Sequence, residues 1–305
     1  MATAPARRPG GRRASPVLTL AAYAAGALIG LAVARGGPRL QADWPLYLRA
    51  QLLVTAAATG LFAAWELSAP RQVVGPFLIA GVGWVLLGAA VVTRRRRSMG
   101  QAALESWAAG PNGAFWVLPI AGIIAGPPAI MIAALANAFY AGANAVCIHL
   151  MRRDAPLRQR HATSWVDQSA LLALAVGLLA HLAGPAPSWS HLVLRVAAPV
   201  LAFTGAGLFI GSVVHPHNVA VGRARSDTWR WLGLALLRAA FLGAIALATT
   251  SRPLAVVAVL SALGAPAFNP IQQAVLYGYR SGLVNAAVRW GWFALPVGLV
   301  AALLI

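Results

Sequence analysis

Two apolar segments of this sequence are each interrupted by helix-breaking residues with an asparagine beside them. The breaking residues are Gly110, Pro111 and Pro119 in the first segment and Gly264, Pro266 and Pro270 in the second. The asparagines are Asn112 and Asn269. A broken helix presents free N–H groups with partial positive charge, which attract an anion such as a carboxylate. An amide adds further donors and acceptors. The pattern therefore predicts an anion-binding site, and the simpler alternative is that both asparagines only cap the broken helices.

Other polar residues near the interruptions are candidates for the same site. Gly113 adjoins the first asparagine, and Gln272 is a neutral oxygen ligand beside the second interruption that suits sodium. Arg238 and Arg289 lie deep within apolar segments, where an arginine is expected to face protein, water or ligand. Arg289 is the first candidate for attracting the anion, with extension to the lipid headgroups as the alternative. Glu105 is the nearest titratable group for proton coupling, although its place at a segment start favours a solvated helix end.

The composition requires a lipid environment for the segments that carry these residues. Of 305 residues, 60% are apolar and 10% are charged, whereas soluble domains have about 45–50% and about 25%. Soluble globules and disordered chains are thereby excluded. The formal charge of +18 does not indicate a nucleic-acid partner, because the arginines separate hydrophobic runs instead of forming one stripe. The single Cys147 and the scattered histidines predict no disulfide, no metal site and no cofactor.

We predict an all-α polytopic membrane protein with ten transmembrane helices. They cover 16–34, 46–65, 74–93, 102–125, 128–150, 165–183, 190–214, 229–249, 254–276 and 282–305. A basic tail at 1–15 precedes a first five-helix repeat at 16–150, and a basic cytoplasmic loop at 151–164 joins it to a second at 165–305. Five helices per repeat invert the second repeat relative to the first, and the broken helices 4 and 9 occupy equivalent places.

The arginines predict the orientation of these helices. Loops after odd-numbered spans hold most of them, whereas the opposite loops hold only Arg71 and Arg252. The positive-inside rule then places the odd loops in the cytoplasm and both termini outside the cell. Four arginines in the N-terminal tail favour the opposite orientation.

Five short motifs resemble signatures of the auxin efflux carrier family, whose ten-helix fold is related to that of the bile acid/sodium symporters. They lie at 112–119, 198–199, 266–269, 277–278 and 295–296. The chain departs from the family in lacking the threonine of the first motif and the Leu-Pro of span 2. The resemblance implies that spans 4 and 9 cross at their breaks within a mobile transport domain, beside a scaffold of spans 1, 2, 6 and 7 that often dimerises.

The same resemblance places Asn137 near the asparagine that follows the family's crossing helix. We therefore expect a multi-pass carrier of the cell membrane that exports a small organic anion by elevator-type movement, coupled to protons or sodium. An enzyme is not expected, because the six acids form no cluster and no G-x-S-x-G motif occurs. The alternatives are a non-transporting sensor or scaffold with this fold and a membrane-embedded lipid-modifying enzyme.

Overall fold

The computed structural model describes residues 16–36, 50–68, 70–93, 108–110, 113–154, 168–214, 228–264 and 296–305, together with residues 46 and 105. Within these ranges the chain is helical and contains no strand. The helices are α1 (Pro16–Arg35), α2 (Ala57–Trp65), α3 (Val74–Val92), α4 (Leu118–Ala125), α5 (Pro127–Asp154), α6 (Ser169–Ala183), α7 (Ser190–Val214), α8 (Thr228–Ala248) and α9 (Arg252–Leu263). A last helical segment covers 296–303.

Five helices are long and apolar enough to cross a bilayer. They are Pro16–Arg35, Arg71–Val92, Pro127–Arg153, Ser190–Gly211 and Trp231–Ala248. Three shorter apolar helices, at Leu53–Trp65, Gly113–Ala125 and Ser169–Ala183, lie inside predicted spans 2, 4 and 6. A fourth, Arg252–Leu263, begins two residues before predicted span 9. The predicted all-helical class is confirmed for the described residues, and five of their helices fit a membrane span by length and composition. The ten spans and the two inverted repeats stay predictions.

Proline and glycine set the boundary between α4 and α5. Gly126 follows α4 with a φ of 74°, a backbone conformation that glycine adopts without steric cost. Pro127 and Pro128 then begin α5, where a missing N–H leaves no intrahelical hydrogen bond unmade. The chain can therefore reverse within a few residues and pack α5 against α4.

Helices α1 and α7 are in backbone contact along much of their lengths. A Cβ atom on Gly26 would overlap the carbonyl oxygen of Phe203, and one on Gly30 would overlap that of Gly207. Glycines four residues apart are the usual means by which membrane helices approach this closely, because lipid gives no hydrophobic drive for association. Helix α2 packs on α6 in the same way, since a Cβ on Gly177 would overlap the carbonyl oxygen of Leu61.

Replacing Gly30 with valine is expected to destabilise the protein. The new side chain meets backbone instead of a flexible side chain, so the helices must separate, at a cost of about 1–3 kcal/mol or more. The matched control is Gly88→Val, because a Cβ there meets nothing within 4 Å. Thermal unfolding in detergent should show a lower midpoint for Gly30→Val alone. Equal midpoints would show that the α1–α7 contact contributes nothing to stability.

Helix α5 lies at the centre of the core. It contacts α2, α3, α4, α6, α7 and α9, and Leu135 and Met151 on it have no exposed surface. Helices α3, α4, α8 and α9 pack with α5 into one group, while α1, α2, α6 and α7 pack pairwise beside it. Large apolar side chains such as Leu28, Val85 and Leu247 face outward from this bundle, as lipid-facing positions do.

Candidate functional site

The interruption of the fourth predicted span lies in the protein interior. Residues 108 and 109 are helical, Gly110 leaves the helix, and a π-helical turn at Gly113–Val117 leads directly into α4. Ala108, Ala109 and Gly110 are buried, as are Gly113 and Phe115. In a membrane, carbonyl and N–H groups that a break releases must be satisfied by protein, water or ligand. Two helices, α8 and α1, supply side chains for this purpose.

Arg238 of α8 satisfies the carbonyl side of the interruption. Its side chain is 3% exposed, and Nη1 donates hydrogen bonds to the carbonyl oxygens of Ala108, at 3.1 Å, and Gly110, at 2.8 Å. Its Nε is buried and has no hydrogen-bond partner among the described residues. The sequence predicts that an arginine this deep faces protein, water or ligand. The structure places Arg238 on the broken backbone, with one donor left over.

Tyr23 of α1 satisfies a second carbonyl. Its hydroxyl donates to the carbonyl oxygen of Phe115 at 2.7 Å, within the π-helical turn, where the α-helical hydrogen-bond pattern is disrupted. The Tyr23 ring also lies 6.0 Å from the ring of Trp116, tilted by 58°. The first helix of the chain is thereby tied to the interruption by one hydrogen bond and one aromatic contact.

Removing that hydroxyl in Tyr23→Phe is expected to lower stability by about 0.5–1.5 kcal/mol, the net contribution of one hydrogen bond. The matched control is Thr93→Val, which deletes an exposed hydroxyl that donates to the carbonyl of Ala89 on its own helix. Thermal unfolding of both variants in detergent tests the difference. A midpoint for Tyr23→Phe no lower than that of the control would mean that the bond does not stabilise the fold.

Helix α5 approaches the interruption at two glycines. A Cβ on Gly113 would lie 2.9 Å from the Cβ of Asn137 and 3.0 Å from its Oδ1, and one on Gly110 would overlap the ring of Tyr140. Asn137 is 9% exposed. Two predicted site residues, Gly113 and Asn137, are therefore neighbours. Only glycine at both positions lets α5 come this close.

The two interrupted segments are in contact through Trp116 and Gly264. Gly264 follows α9, and a Cβ on it would lie 2.9 Å from Cδ1 and 3.1 Å from Nε1 of Trp116. The Nε1 atom is buried and has no hydrogen-bond partner in the described part of the chain. A second N–H donor is thus left unsatisfied where the two interruptions meet.

Other predicted residues have different outcomes. Asn112, Asn269, Gln272 and Arg289, with the breaking residues Pro111, Pro266 and Pro270, lie outside the described residues. Pro119 is described and lies in the first turn of α4, where its missing N–H costs no α-helical hydrogen bond. It lies within the continuous helix Gly113–Ala125, directly after the π-helical turn.

Glu105 does not form the solvated helix end that the sequence favours. It is 2% exposed. Hydropathy places this residue at the edge of its apolar segment, but the pattern of one segment cannot show that neighbouring helices cover that edge. The acid is therefore held inside the bundle, ahead of the interruption along the chain.

Sequence reasoning did not assign Tyr23, Trp116 or Tyr140 to the site. The sequence does carry one indication, because a tyrosine or tryptophan within an apolar span needs a hydrogen-bond partner for its O–H or N–H. That signal indicates a polar neighbour without saying which one. Arg238 gave the clearest signal, as a charge deep in an apolar segment, but the groups it binds lie more than 120 residues earlier in the chain.

No protein-family model matches this chain, and no curated protein matches it. The resemblance to auxin efflux carriers therefore depends on the short motifs in the sequence alone.

Proposed function

We propose that this protein is a secondary carrier that moves a small organic anion, such as a carboxylate, across the cell membrane. The observation that carries the proposal is the pair of buried N–H donors at the interruption, Arg238 Nε and Trp116 Nε1, with no acceptor among the described residues. A buried donor without a partner is costly. A carboxylate supplies the acceptors that such donors need.

The charge at the interruption also favours an anion. The end of a helix carries about half of one negative charge, whereas the guanidinium of Arg238 carries one full positive charge. The carbonyls of Ala108 and Gly110 therefore offset only part of it. The remaining positive potential, in a site from which water is excluded, attracts a negatively charged substrate.

The helix pairing supports two inverted repeats. Helix α1 packs on α7, and α2 packs on α6, which are predicted spans 1, 7, 2 and 6. If spans 1–5 correspond to spans 6–10, span 1 is equivalent to span 6 and span 7 to span 2. The pair of spans 1 and 7 is then equivalent to the pair of spans 6 and 2. We infer that these four helices form the scaffold, and that the group around α5, with the two interruptions, moves during transport.

Energy for transport would come from an ion gradient, because the sequence contains no phosphate-binding loop. For proton coupling we propose the buried Glu105, and for sodium coupling the neutral oxygen of Gln272. From the resemblance we further propose that the carrier exports its substrate and forms a homodimer. From the arginine pattern we propose that both termini lie outside the cell.

The function is tested by reconstituting the protein in liposomes and following counterflow of a panel of labelled carboxylates. Counterflow of at least one carboxylate, with none of the matching uncharged amides, is expected. Absence of counterflow across the panel would contradict the carrier. If a carboxylate binds to the detergent-solubilised protein but does not cross the liposome membrane, the sensor alternative is correct instead.

A further inference from the structure

A cavity of about 510 Å³ lies away from the interruption, between α1, α7 and the helical residues 50–55 that precede α2. Its walls are mainly apolar side chains, namely Ile29, Val33, Val54, Val200, Phe203 and Leu208. Ile29 is 50% exposed and Val54 is 67% exposed, so the mouth opens on the lipid-facing surface. The volume is within the range of pockets that bind small molecules, about 300–1,000 Å³.

One polar side chain in this cavity has an unsatisfied atom. Gln51 lines the wall and is 7% exposed. Its Nε2 donates to the Thr55 hydroxyl at 3.0 Å, and that hydroxyl donates to the backbone carbonyl of Gln51 at 2.5 Å. The amide oxygen, Oε1, is buried and has no hydrogen-bond partner in the part of the chain that is described.

The hydrogen bonds of Thr55 determine which amide atom is free. A hydroxyl carries one hydrogen, and Thr55 gives it to the backbone of Gln51. Thr55 can therefore only accept from the Gln51 side chain, so the amide nitrogen faces Thr55 and the oxygen is the unsatisfied atom. Thr204, another hydroxyl on the wall, donates to Val200 in its own helix. Gln51, on the wall of the cavity, therefore carries an acceptor that needs a donor.

This requirement selects the occupant. A deprotonated anion has no hydrogen to give to Oε1, and an ammonium group would be buried without a counter-charge, because no acid is among the described residues that line the cavity. A neutral hydroxyl on an apolar body satisfies both the walls and the amide. The adjoining π-helical turn, Leu52–Ala56, is a type of distortion often found at functional sites.

We propose that this cavity binds a neutral hydroxyl-bearing lipid from the bilayer, with Gln51 Oε1 accepting the hydroxyl hydrogen. The site is separate from the anion site and does not depend on the proposed transport. An ordinary acyl chain fills apolar space equally well but gives Oε1 no hydrogen, so the hydroxyl group is what distinguishes the proposed occupant.

The test uses the full chain in nanodiscs of phosphatidylcholine and two photoreactive probes, a diazirine-bearing dodecanol and its methyl ether. The probes differ only in that a methyl group replaces the hydroxyl hydrogen in the ether. Mass spectrometry of the digested protein locates the labelled peptides. The alcohol is expected to label the peptides that line the cavity about fivefold more than the ether, the discrimination that one hydrogen bond gives.

Gln51→Leu is expected to abolish the preference for the alcohol, because it removes the acceptor while preserving bulk. The matched control is Gln168→Leu, since Gln168 precedes α6, makes no capping hydrogen bond and does not line the cavity. The control should keep the full preference, which shows that the change acts through this cavity.

Three results would overturn the proposal. Equal labelling of the wild-type cavity by alcohol and ether would mean that no hydroxyl is recognised, and this comparison needs no variant to fold. A preference that survives in Gln51→Leu would place the acceptor elsewhere. Efficient cross-linking of α1 to α7 of another copy, with the cavity unlabelled, would identify a second copy of the chain as the occupant.

Discussion

Arg238→Ala is expected to reduce carboxylate counterflow at least about a hundredfold. Hydrogen bonds from a charged donor contribute about 1.5–3 kcal/mol each, and Arg238 makes two, to the carbonyls of Ala108 and Gly110. Each 1.4 kcal/mol corresponds to a factor of ten. The variant removes both bonds and the positive charge that attracts the substrate. Counterflow per reconstituted protein molecule, measured over a range of carboxylate concentrations, gives the effect.

Two further variants distinguish loss of substrate attraction from loss of fold. Arg238→Lys keeps the charge but has no planar fork to bridge two carbonyls, so we expect a raised KM and partial counterflow. Arg195→Ala is the control, because Arg195 lies near the start of α7 and is only half-buried. If Arg238→Ala unfolds at the wild-type temperature and supports wild-type counterflow, Arg238 does not belong to the substrate site.

Gly264→Val is expected to stop transport almost completely. A Cβ on Gly264 would overlap the carbonyl oxygen of Leu260 and lie 2.9 Å from Cδ1 of Trp116, and valine adds two methyl groups to it. The end of α9 must then shift and the two interrupted segments separate, which moves Trp116 Nε1 away from its place beside the second interruption. Displacing groups at a site by about 1 Å can lower a rate about a hundredfold. Liposome counterflow measures the loss.

Gly243→Val is the matched control for this change, because Gly243 on α8 has nothing within 4 Å of its Cβ position. A double variant gives a second check. If crowding is the cause, Trp116→Leu should restore part of the stability that Gly264→Val removes, since neighbouring changes are not additive. Unchanged counterflow in Gly264→Val would show that the contact between the interruptions is unimportant for transport.

Much of the helical framework is predictable from the sequence because a membrane span is defined by local hydropathy. The predicted span at 190–214 coincides with α7, and the one at 229–249 differs from α8 by one residue at each end. Each is an apolar run between polar loops, so no knowledge of its neighbours is needed. Fold class and approximate helix positions follow from such runs.

The site is less predictable because its contacts join distant parts of the chain. Gly113 and Asn137 are close in sequence, the sequence predicts both as site residues, and the structure places them side by side. The bond from Tyr23 to Phe115 spans 92 residues, and no local pattern indicates which carbonyl an isolated tyrosine will reach. The prediction of a solvated Glu105 is wrong for the same reason, because the helices that cover this residue come together only in the assembled bundle.

If the protein is the carrier proposed above, the hydrogen bond from Tyr23 to Phe115 affects the timing of its transport cycle. Tyr23 belongs to a helix of the inferred scaffold and Phe115 to the inferred moving group, so an elevator displacement must break this bond. The bond then stabilises the conformation described here by about 0.5–1.5 kcal/mol. If the two conformations have similar energies, removing the bond would shift their populations several-fold. A single phenolic hydroxyl would thus set how long the carrier waits on one side of the membrane.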